Sequence, residues 1–242
     1  AEDHLDVHAG VDDYRRAKER IWADQGPDDT AVVNAEDPVV SAAAPHGPGA
    51  PRVLRYGLAE QVGGVATDFH LRGDQLVGQG GQVLAAVGDL WSQLPHDLSN
   101  ALAAAATALE GGASLEGVRA ALAGFEGLSH RVELVAEADG VRWYDDSKAT
   151  APHATLAAVR GFDSVVLIAG GRNKGLDLGA LGQVATRIRA VVAIGEAAAE
   201  VRAALAGRPS QTAGSMQEAV DVAAAIARPG DVVLLSPACA SF

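Results

Sequence analysis

Beyond residue 128, short runs that are apolar at every position alternate with stretches whose apolar residues recur at helical spacing. Residues 165–169 and 190–194 are runs of branched and small hydrophobes, and 231–236 holds another, Val-Val-Leu-Leu, between Asp231 and Ser236. Residues 152–160, 178–189, 197–205 and 216–227 read as helices. Continuous apolar strands separated by amphipathic helices predict a parallel sheet covered on both faces. Residues 131–136 and 141–144 instead flank Asp139-Gly140, a dipeptide that favours a two-residue hairpin turn. Before residue 128 the pattern is different. Tyr14, Ala17 and Ile21 share one face of a charged helix over 11–22. Residues 30–34 read as a buried strand, 35–38 as the turn that ends it, and 42–51 as an Ala/Pro/Gly loop. Residues 53–57, 64–71 and 75–87 show weak alternation broken by glycine, as in a twisted antiparallel patch. Helices follow over 97–110 and 115–123, stopped by Gly112 and Gly124. The change of pattern puts a domain boundary at Gly127-Leu128 and leaves strand 30–34 without evident partners.

Composition narrows the function classes. The chain has 242 residues, 48% hydrophobic and 21% charged, which is a globular composition with room for two small domains. Acidic residues exceed basic ones, 31 to 19, for a net charge of −12, and no Lys/Arg cluster offsets it. That balance argues against a grip on nucleic acid. The single cysteine, Cys239, excludes an intrachain disulfide framework and a Cys-based zinc site. No base stands beside it in Leu-Ser-Pro-Ala-Cys-Ala-Ser, so it reads as a small buried hydrophobe. No apolar run is long enough to span a bilayer and no signal-peptide pattern opens the chain, so a cytoplasmic protein without membrane partners is expected. A monomer is also expected. Neither end reads as a natural terminus, and the chain is expected to be a piece of a longer one.

Several clusters bear chemistry. Asp145-Asp146-Ser147-Lys148-Ala149-Thr150 ends an apolar-alternating run and precedes Pro152. A strand that runs into such a cluster and then into a helix presents it at the sheet's carboxyl edge, where open α/β sheets bind ligands. Asp, Ser and Thr are equally ordinary helix caps. Gly170-Gly171-Arg172-Asn173-Lys174-Gly175 follows strand 165–169 and could bring backbone N–H groups and a lysine to an anion. It lacks the Walker A order, and a Gly-rich turn with a solvated lysine fits as well. The guanidinium in His130-Arg131 could clamp a carboxylate or phosphate, or simply be exposed. Asp3, His4, Asp6 and His8 could ligate a metal; Lys18, Asn34 and His96 are individually weak.

Their order along the chain is more informative than any one of them. Glu2-Asp-His-Leu-Asp6, Ala17-Lys-x-Arg-Ile21, Val33-Asn-Ala-x-Asp37, His96-x-x-x-Asn100, Gly127-Leu-x-His-Arg131, Asp146-Ser-Lys-Ala-Thr150, Gly170-Gly171 with Lys174, and Leu235-Ser-Pro-Ala-Cys-Ala-Ser241 form a collinear series. This series resembles the Mur ligases over nearly the whole chain, and most of all the members that add D-glutamate. The resemblance implies an α/β chain: residues 1–128 as the back half of the central ATPase domain, and 129–242 as most of a Rossmann-like C-terminal domain with a mainly parallel sheet. It implies ATP and Mg²⁺ as cofactors, and UDP-N-acetylmuramoyl-L-alanine and D-glutamate as partners, in peptidoglycan precursor synthesis. Such ligases turn a carboxylate into an acyl phosphate that an amine then attacks, which demands positive charge around phosphoryl oxygens.

Residue by residue, the resemblance implies that His4 ligates Mg²⁺ and that Lys18 is carbamylated, a change that makes a cation into an oxygen ligand for a hard metal. Asn34 would support the nucleotide side. His96 and Asn100 match the adenine-contacting stretch, although Asp97 stands where Asn is usual and cannot donate to a ring nitrogen. Arg131 and Asp146 would bind ATP phosphates and ribose. Lys148 and Thr150 would face the acyl phosphate and the amino acid, with Lys18, Lys148 and Asp146 as the catalytic groups. Lys174 and Ser241 would hold the glutamate side-chain carboxylate, with Phe242 beside them. The family's phosphate loop, its UDP-binding domain and the glutamate that ligates the other Mg²⁺ are not in the sequence, so the chain alone is expected to be inactive. Two alternatives stay open: a relative that adds L-glutamate, folylpolyglutamate-type enzymes included, and a Rossmann-like module without catalysis. The joint presence of Lys148, Thr150 and Lys174 argues against the second.

Overall fold

The computed structural model describes residues 7–240. They divide into two compact units, one of residues 15–127 and the other of 128–240 together with 7–14. The chain enters on α1 (Val11–Glu19), with Asp12 and Asp13 in the first turn and Arg16 and Lys18 in the last. That order complements the helix dipole, and a single 3₁₀ turn, Arg20–Trp22, ends the helix.

In the 15–127 unit, β1 (Thr30–Asn34) runs to Asp37-Pro38. The Asp37 carboxylate accepts from the N–H groups of Val39 and Val40 at 2.9 and 3.1 Å, and Pro38 fills the first helical position of α2 (Pro38–Ala43). The sequence pattern predicts only a turn and a loop here, although an acidic cap before proline is a helix-start signal. β2 (Arg52–Tyr56) lies parallel to β1, in register from Thr30 opposite Arg52 to Asn34 opposite Tyr56. This corrects two expectations: 30–34 does have a backbone partner, and 53–57 is not part of an antiparallel patch. Weak alternation reports which face is buried and says nothing of pairing direction. The rest of the patch is antiparallel as expected. β3 (Gln61–Val62) pairs β4 (Val65–Ala66), and β5 (His70–Arg72), β6 (Gln75–Val77) and β7 (Val83–Ala86) form a three-stranded sheet. Helices α3 (Pro95–Glu110) and α4 (Leu115–Gly124) close the unit. Leu98, Leu102, Val118 and Leu122 from these helices meet Leu54, Phe69, Leu76 and Leu84 in one core.

In the 128–240 unit, β8 (Glu133–Ala138) and β9 (Val141–Asp145) form the predicted hairpin. Asp139 and Gly140 both have positive φ, 52° and 75°, the geometry that a primed two-residue turn requires. Then come α5 (Pro152–Arg160), β10 (Val165–Gly170), a 3₁₀ helix Leu178–Arg187, β11 (Ile188–Ile194) and α6 (Ala198–Ala204). β12 (Ser210–Ala213), α7 (Met216–Ile226) and β13 (Val232–Leu235) complete it. The strands lie in the order β12-β11-β10-β13-β9-β8, all neighbours parallel except β8 with β9. Two elements depart from the pattern-based expectation. Residues 178–187 wind as 3₁₀ rather than α helix; Gly179 and Gly182 lower α propensity there. β12, Ser-Gln-Thr-Ala, has no apolar run to reveal it and exists because it pairs with β11.

β10 is buried at every position. Val166 and Ile168 pack with Val192, Val233 and the small residues Ala219 and Ala223 of α7. Val165 and Leu167 point to the opposite face, because strand side chains alternate. β13, last in sequence, inserts between β10 and β9. The carboxyl ends of β9, β13 and β10 therefore lie side by side.

Candidate functional site

Three loops leave those three adjacent strand ends: 146–151 after β9, 236–240 after β13, and 171–177 after β10. Backbone hydrogen bonds tie them into one surface. The N–H of Asp146 donates to Leu235 O at 2.8 Å, that of Ser236 to Ile168 O at 3.0 Å, and that of Gly170 to Pro237 O at 2.8 Å. The N–H of Ala238 donates to Ala149 O, and that of Arg172 to Ala240 O, both at 2.9 Å. Clusters far apart in the sequence thus share the edge at which open α/β sheets bind ligands.

Asp145 and Asp146 are adjacent yet electrostatically opposite. Burial pushes the Asp145 carboxyl up, but hydrogen bonds from the His130 ring and from Ser147 outweigh it and hold Asp145 below the usual range. His130 Nδ1 lies 2.7 Å from Asp145 Oδ2, and the Ser147 N–H reaches Oδ1 at 2.8 Å. Asp146 is 6% exposed, and burial raises its carboxyl to about 6. Bonds from Ser236 and the Val132 N–H and the Arg131 charge pull the other way, while Asp145 adds to the rise. Arg131 sits between His130 and Val132, both at positive φ (66° and 50°), and the His130 carbonyl accepts from Lys148 N–H at 3.2 Å. The residues on either side of Arg131 are thus tied to the acidic cluster. The cluster does not cap the next helix, since α5 has no side-chain cap.

A stability consequence follows. Between the ordinary 3.8 and about 6, the folded chain holds a proton on Asp146 that the unfolded chain has released. Stability from this group is complete below 3.8 and is lost as pH rises through about 6. The loss is about 3 kcal/mol, at about 1.36 kcal/mol per pH unit. Asp146→Asn removes this titration, so urea titrations should show its stability relative to wild type rising by roughly 2–3 kcal/mol from about pH 4 to about pH 7. A constant difference would contradict a raised Asp146.

Of the two readings open for the glycines at the end of β10, the geometry accounts for a tight turn. Gly170 and Gly171 have φ of 124° and 143°. A Cβ on Gly170 would overlap the Ile194 carbonyl oxygen, and one on Gly171 would lie 2.5 Å from Ala240 O. Gly170 N–H already donates to Pro237, and Gly171 O accepts from Ala197 N–H at 2.9 Å. Close approach of neighbouring backbone demands these glycines, without any need for an anion.

Lys148, Thr150 and Lys174 are all exposed on the edge loops. Asn173 shapes the loop that carries Lys174: its side chain accepts from Leu176 N–H and donates to Leu176 O, each at 2.9 Å. Cys239 is 1% exposed and burial raises its thiol to about 11, in keeping with an inert small hydrophobe. In the 15–127 unit, Lys18 is exposed and Asn34 Oδ1 accepts from Glu36 N–H at 2.9 Å, a turn role. His96 and Asn100 stand one turn apart on α3. His96 Nδ1 is buried without a hydrogen-bond partner, and its Nε2 lies 3.5 Å from Asp97 Oδ1. His8 pairs with Asp13 at 3.1 Å. His4, Ser241 and Phe242 lie outside the described residues. Sequence reasoning missed Ser236 and Thr155, both fully buried, the first against Asp146 and the second against Ser236; nothing local marks residues 81 and 90 positions from their partners.

Comparison with known proteins agrees with this architecture. Residues 1–108 match the Mur ligase middle domain, and residues 130–239 match the Mur ligase glutamate ligase domain. The chain belongs to the Mur ligase family. Among curated family members, the UDP-N-acetylmuramoylalanine–D-glutamate ligase of Frankia casuarinae is 46% identical over 251 residues, covering 100% of this chain and 52% of the relative. The protein of the same name from Desulfitobacterium hafniense is 40% identical, covering 99% and 54%. The chain thus spans about half the length of these relatives. Solved structures share the Mur ligase fold at low identity. A pseudomurein peptide ligase type C from Methanothermus fervidus has a TM-score of 0.72 at 13% identity, covering 97% of this chain and 58% of that one. MurF from Acinetobacter baumannii has a TM-score of 0.69 at 21% identity, covering 97% and 54%.

Proposed function

We propose that the chain carries the nucleotide- and glutamate-handling parts of an ATP-dependent ligase. This ligase joins D-glutamate to UDP-N-acetylmuramoyl-L-alanine in peptidoglycan precursor synthesis. The observation that carries the proposal is the shared edge, where the Asp146–Thr150 cluster, the Lys174 loop and the Ser236–Ala240 segment meet. Relatives 40% and 46% identical bear the name of that activity. In this reading residues 1–128 are the back half of the central domain, and 129–242 are the C-terminal domain.

Each unit, taken by itself, has residues suited to a part of ATP. His96 Nδ1 is a buried nitrogen with no protein partner, suited to a base. Arg131 and Lys148 bring positive charge to phosphates beside Asp146. ATP supplies the phosphoryl group that activates the substrate carboxylate. The work of this chain is to hold that group and the incoming amino acid in place. In this reading Lys148 neutralises charge gathering on the acyl phosphate oxygens, and interactions of that kind are worth about 2.7–4 kcal/mol in catalysis. Thr150 orients the amino acid, and Lys174, with Ser241 and Phe242, receives its side-chain carboxylate. Lys18, as a carbamate, and His4 would hold Mg²⁺ through hard oxygen and nitrogen ligands. In this reading the protein acts in the cytoplasm, as a monomer. None of the described helices is long and apolar enough to cross a membrane.

The test is phosphate release by the intact gene product with UDP-N-acetylmuramoyl-L-alanine. Release should require both ATP and D-glutamate. Equal rates with L-glutamate would overturn the stereochemical assignment, and no release under any of these conditions would overturn the ligase.

A further inference from the structure

Ser236 and Thr155 are completely buried, and neither is among the residues assigned above to substrates. The Ser236 hydroxyl lies 2.7 Å from Asp146 Oδ2 and 2.9 Å from Thr155 Oγ1. Thr155 Oγ1 lies 3.4 Å from the Ser236 carbonyl oxygen. Each hydroxyl has one proton and donates once. With Asp146 ionised, Ser236 donates to the carboxylate and Thr155 donates to Ser236 Oγ. With Asp146 protonated, the chain reverses: the carboxyl donates to Ser236, Ser236 to Thr155, and Thr155 to the Ser236 carbonyl. Every buried hydroxyl and carboxyl proton keeps an acceptor in both directions.

The three residues come from three segments that only the fold brings together: the loop after β9, the loop after β13, and the first half of α5. The Asp146 carboxylate also accepts from Val132 N–H, and the charges acting on it are Arg131 and Asp145, the latter bonded to His130. The relay meets Asp146 from the side of the sheet and α5, and Val132 meets it from the Arg131 segment.

We infer that Ser236 and Thr155 are positioning residues that set the orientation and charge state of Asp146 for nucleotide binding. The inference rests on the reading of Asp146 as a nucleotide-binding group. A merely structural role for the two hydroxyls, tying β13 to α5, would alter stability and leave the behaviour of Asp146 unchanged.

The experiment has two arms. In the first, carboxyl ¹³C NMR follows the Asp146 titration in the 242-residue chain and in Ser236→Ala, Thr155→Val and Thr155→Ser. Removing a hydrogen bond to the charged form should move the Ser236→Ala midpoint upward by about one pH unit. Thr155→Val, nearly isosteric, should move it the same way by less, and Thr155→Ser should restore the wild-type value. Should Ser236→Ala fail to fold, the Thr155 pair carries this arm. An Asp146 midpoint the same in Thr155→Val and wild type overturns the relay. In the second arm, the KM for ATP of the intact gene product is measured against pH. Its acid limb should move with the Asp146 midpoint while kcat changes little; a midpoint that moves without the KM profile overturns the positioning role. Asp146→Asn with an unchanged KM for ATP would instead overturn the reading of Asp146 itself, whatever the first arm shows.

Discussion

Replacing Gly170 with alanine should cost the 128–240 unit on the order of 3–5 kcal/mol, enough to unfold most of the population of a marginally stable domain. Two effects add. The φ of 124° is one that L residues rarely adopt, and holding a side chain there costs about 1–3 kcal/mol. The new Cβ would also overlap the Ile194 carbonyl oxygen and lie 3.0 and 3.1 Å from that residue's carbonyl carbon and nitrogen. These are backbone atoms of β11, in register with Gly170, so relief requires that the β10–β11 ladder shift. Forced overpacking of this kind costs about 1–3 kcal/mol more. Gly175 is the control. It also has positive φ, 85°, but a Cβ added there would meet nothing within 4 Å, so Gly175→Ala should lose only the conformational part, about 1 kcal/mol. Urea denaturation midpoints check both; a Gly170→Ala midpoint close to wild type would refute the packing account.

The second large effect is expected at the opposite end of the same sheet. Asp231 is 5% exposed just before β13. Its carboxylate accepts from Arg189 Nε at 2.9 Å, Ser164 Oγ at 2.6 Å and Arg228 N–H at 2.7 Å, and the Arg189 guanidinium pairs with it again at 2.7 Å. Asp231→Ala leaves these donors without their acceptor. Loss of one partner of a buried pair costs about 3–5 kcal/mol, and the lower part of that range applies because Arg189 is partly exposed. The pH dependence has a definite sign. Burial raises the Asp231 carboxyl, but the bonds from Arg189, Ser164 and Arg228 and the Arg189 charge outweigh it and hold it below 3.8. The stability it adds is present above the unfolded value and is lost as pH falls through the folded one. Chemical denaturation should show the Asp231→Ala deficit at neutral pH and a smaller deficit under acid conditions. A deficit independent of pH would show that lost packing, rather than the charge network, sets the cost.

These two ends of the sheet show why aspartates alike in sequence behave differently. Asp231 is buried with an arginine and neutral donors on its oxygens, so the charged form wins. Asp146 is buried with one hydroxyl, one backbone N–H and an Arg131 that acts through its charge alone, against a neighbouring carboxylate, so burial wins. The first arrangement secures the fold. The second leaves a carboxyl raised to about 6 at the carboxyl edge of the sheet, the kind of perturbed group that gathers at functional sites.

Much of the architecture was legible in the chain. Apolar runs 165–169 and 231–236 became β10 and β13, and Asp139-Gly140 became the hairpin turn, because burial on both faces and positive φ each demand particular residue types. β12 and the parallel pairing of β1 with β2 were not legible. An edge strand needs no apolar run, and alternation carries no direction. The candidate site was half legible. Asp146, Lys148, Thr150 and Lys174 stand out as polar groups where strands end, and their order pointed to a family. Ser236 and Thr155 do not stand out, since a buried hydroxyl looks like any other until its partner is known.

By itself, then, the sequence determined the α/β class, the succession of strands and helices in the second unit, and which short clusters carry charge at strand ends, because these depend on local periodicity and residue chemistry. Only the tertiary structure decided that β13 returns between β10 and β9 and so joins three distant clusters at one edge. It also decided that Gly170 and Gly171 answer to neighbouring backbone, and that Asp146 is raised while Asp145 and Asp231 are lowered. Burial, close approach and hydrogen-bond partners are properties of residues distant in the chain, and no local pattern encodes them.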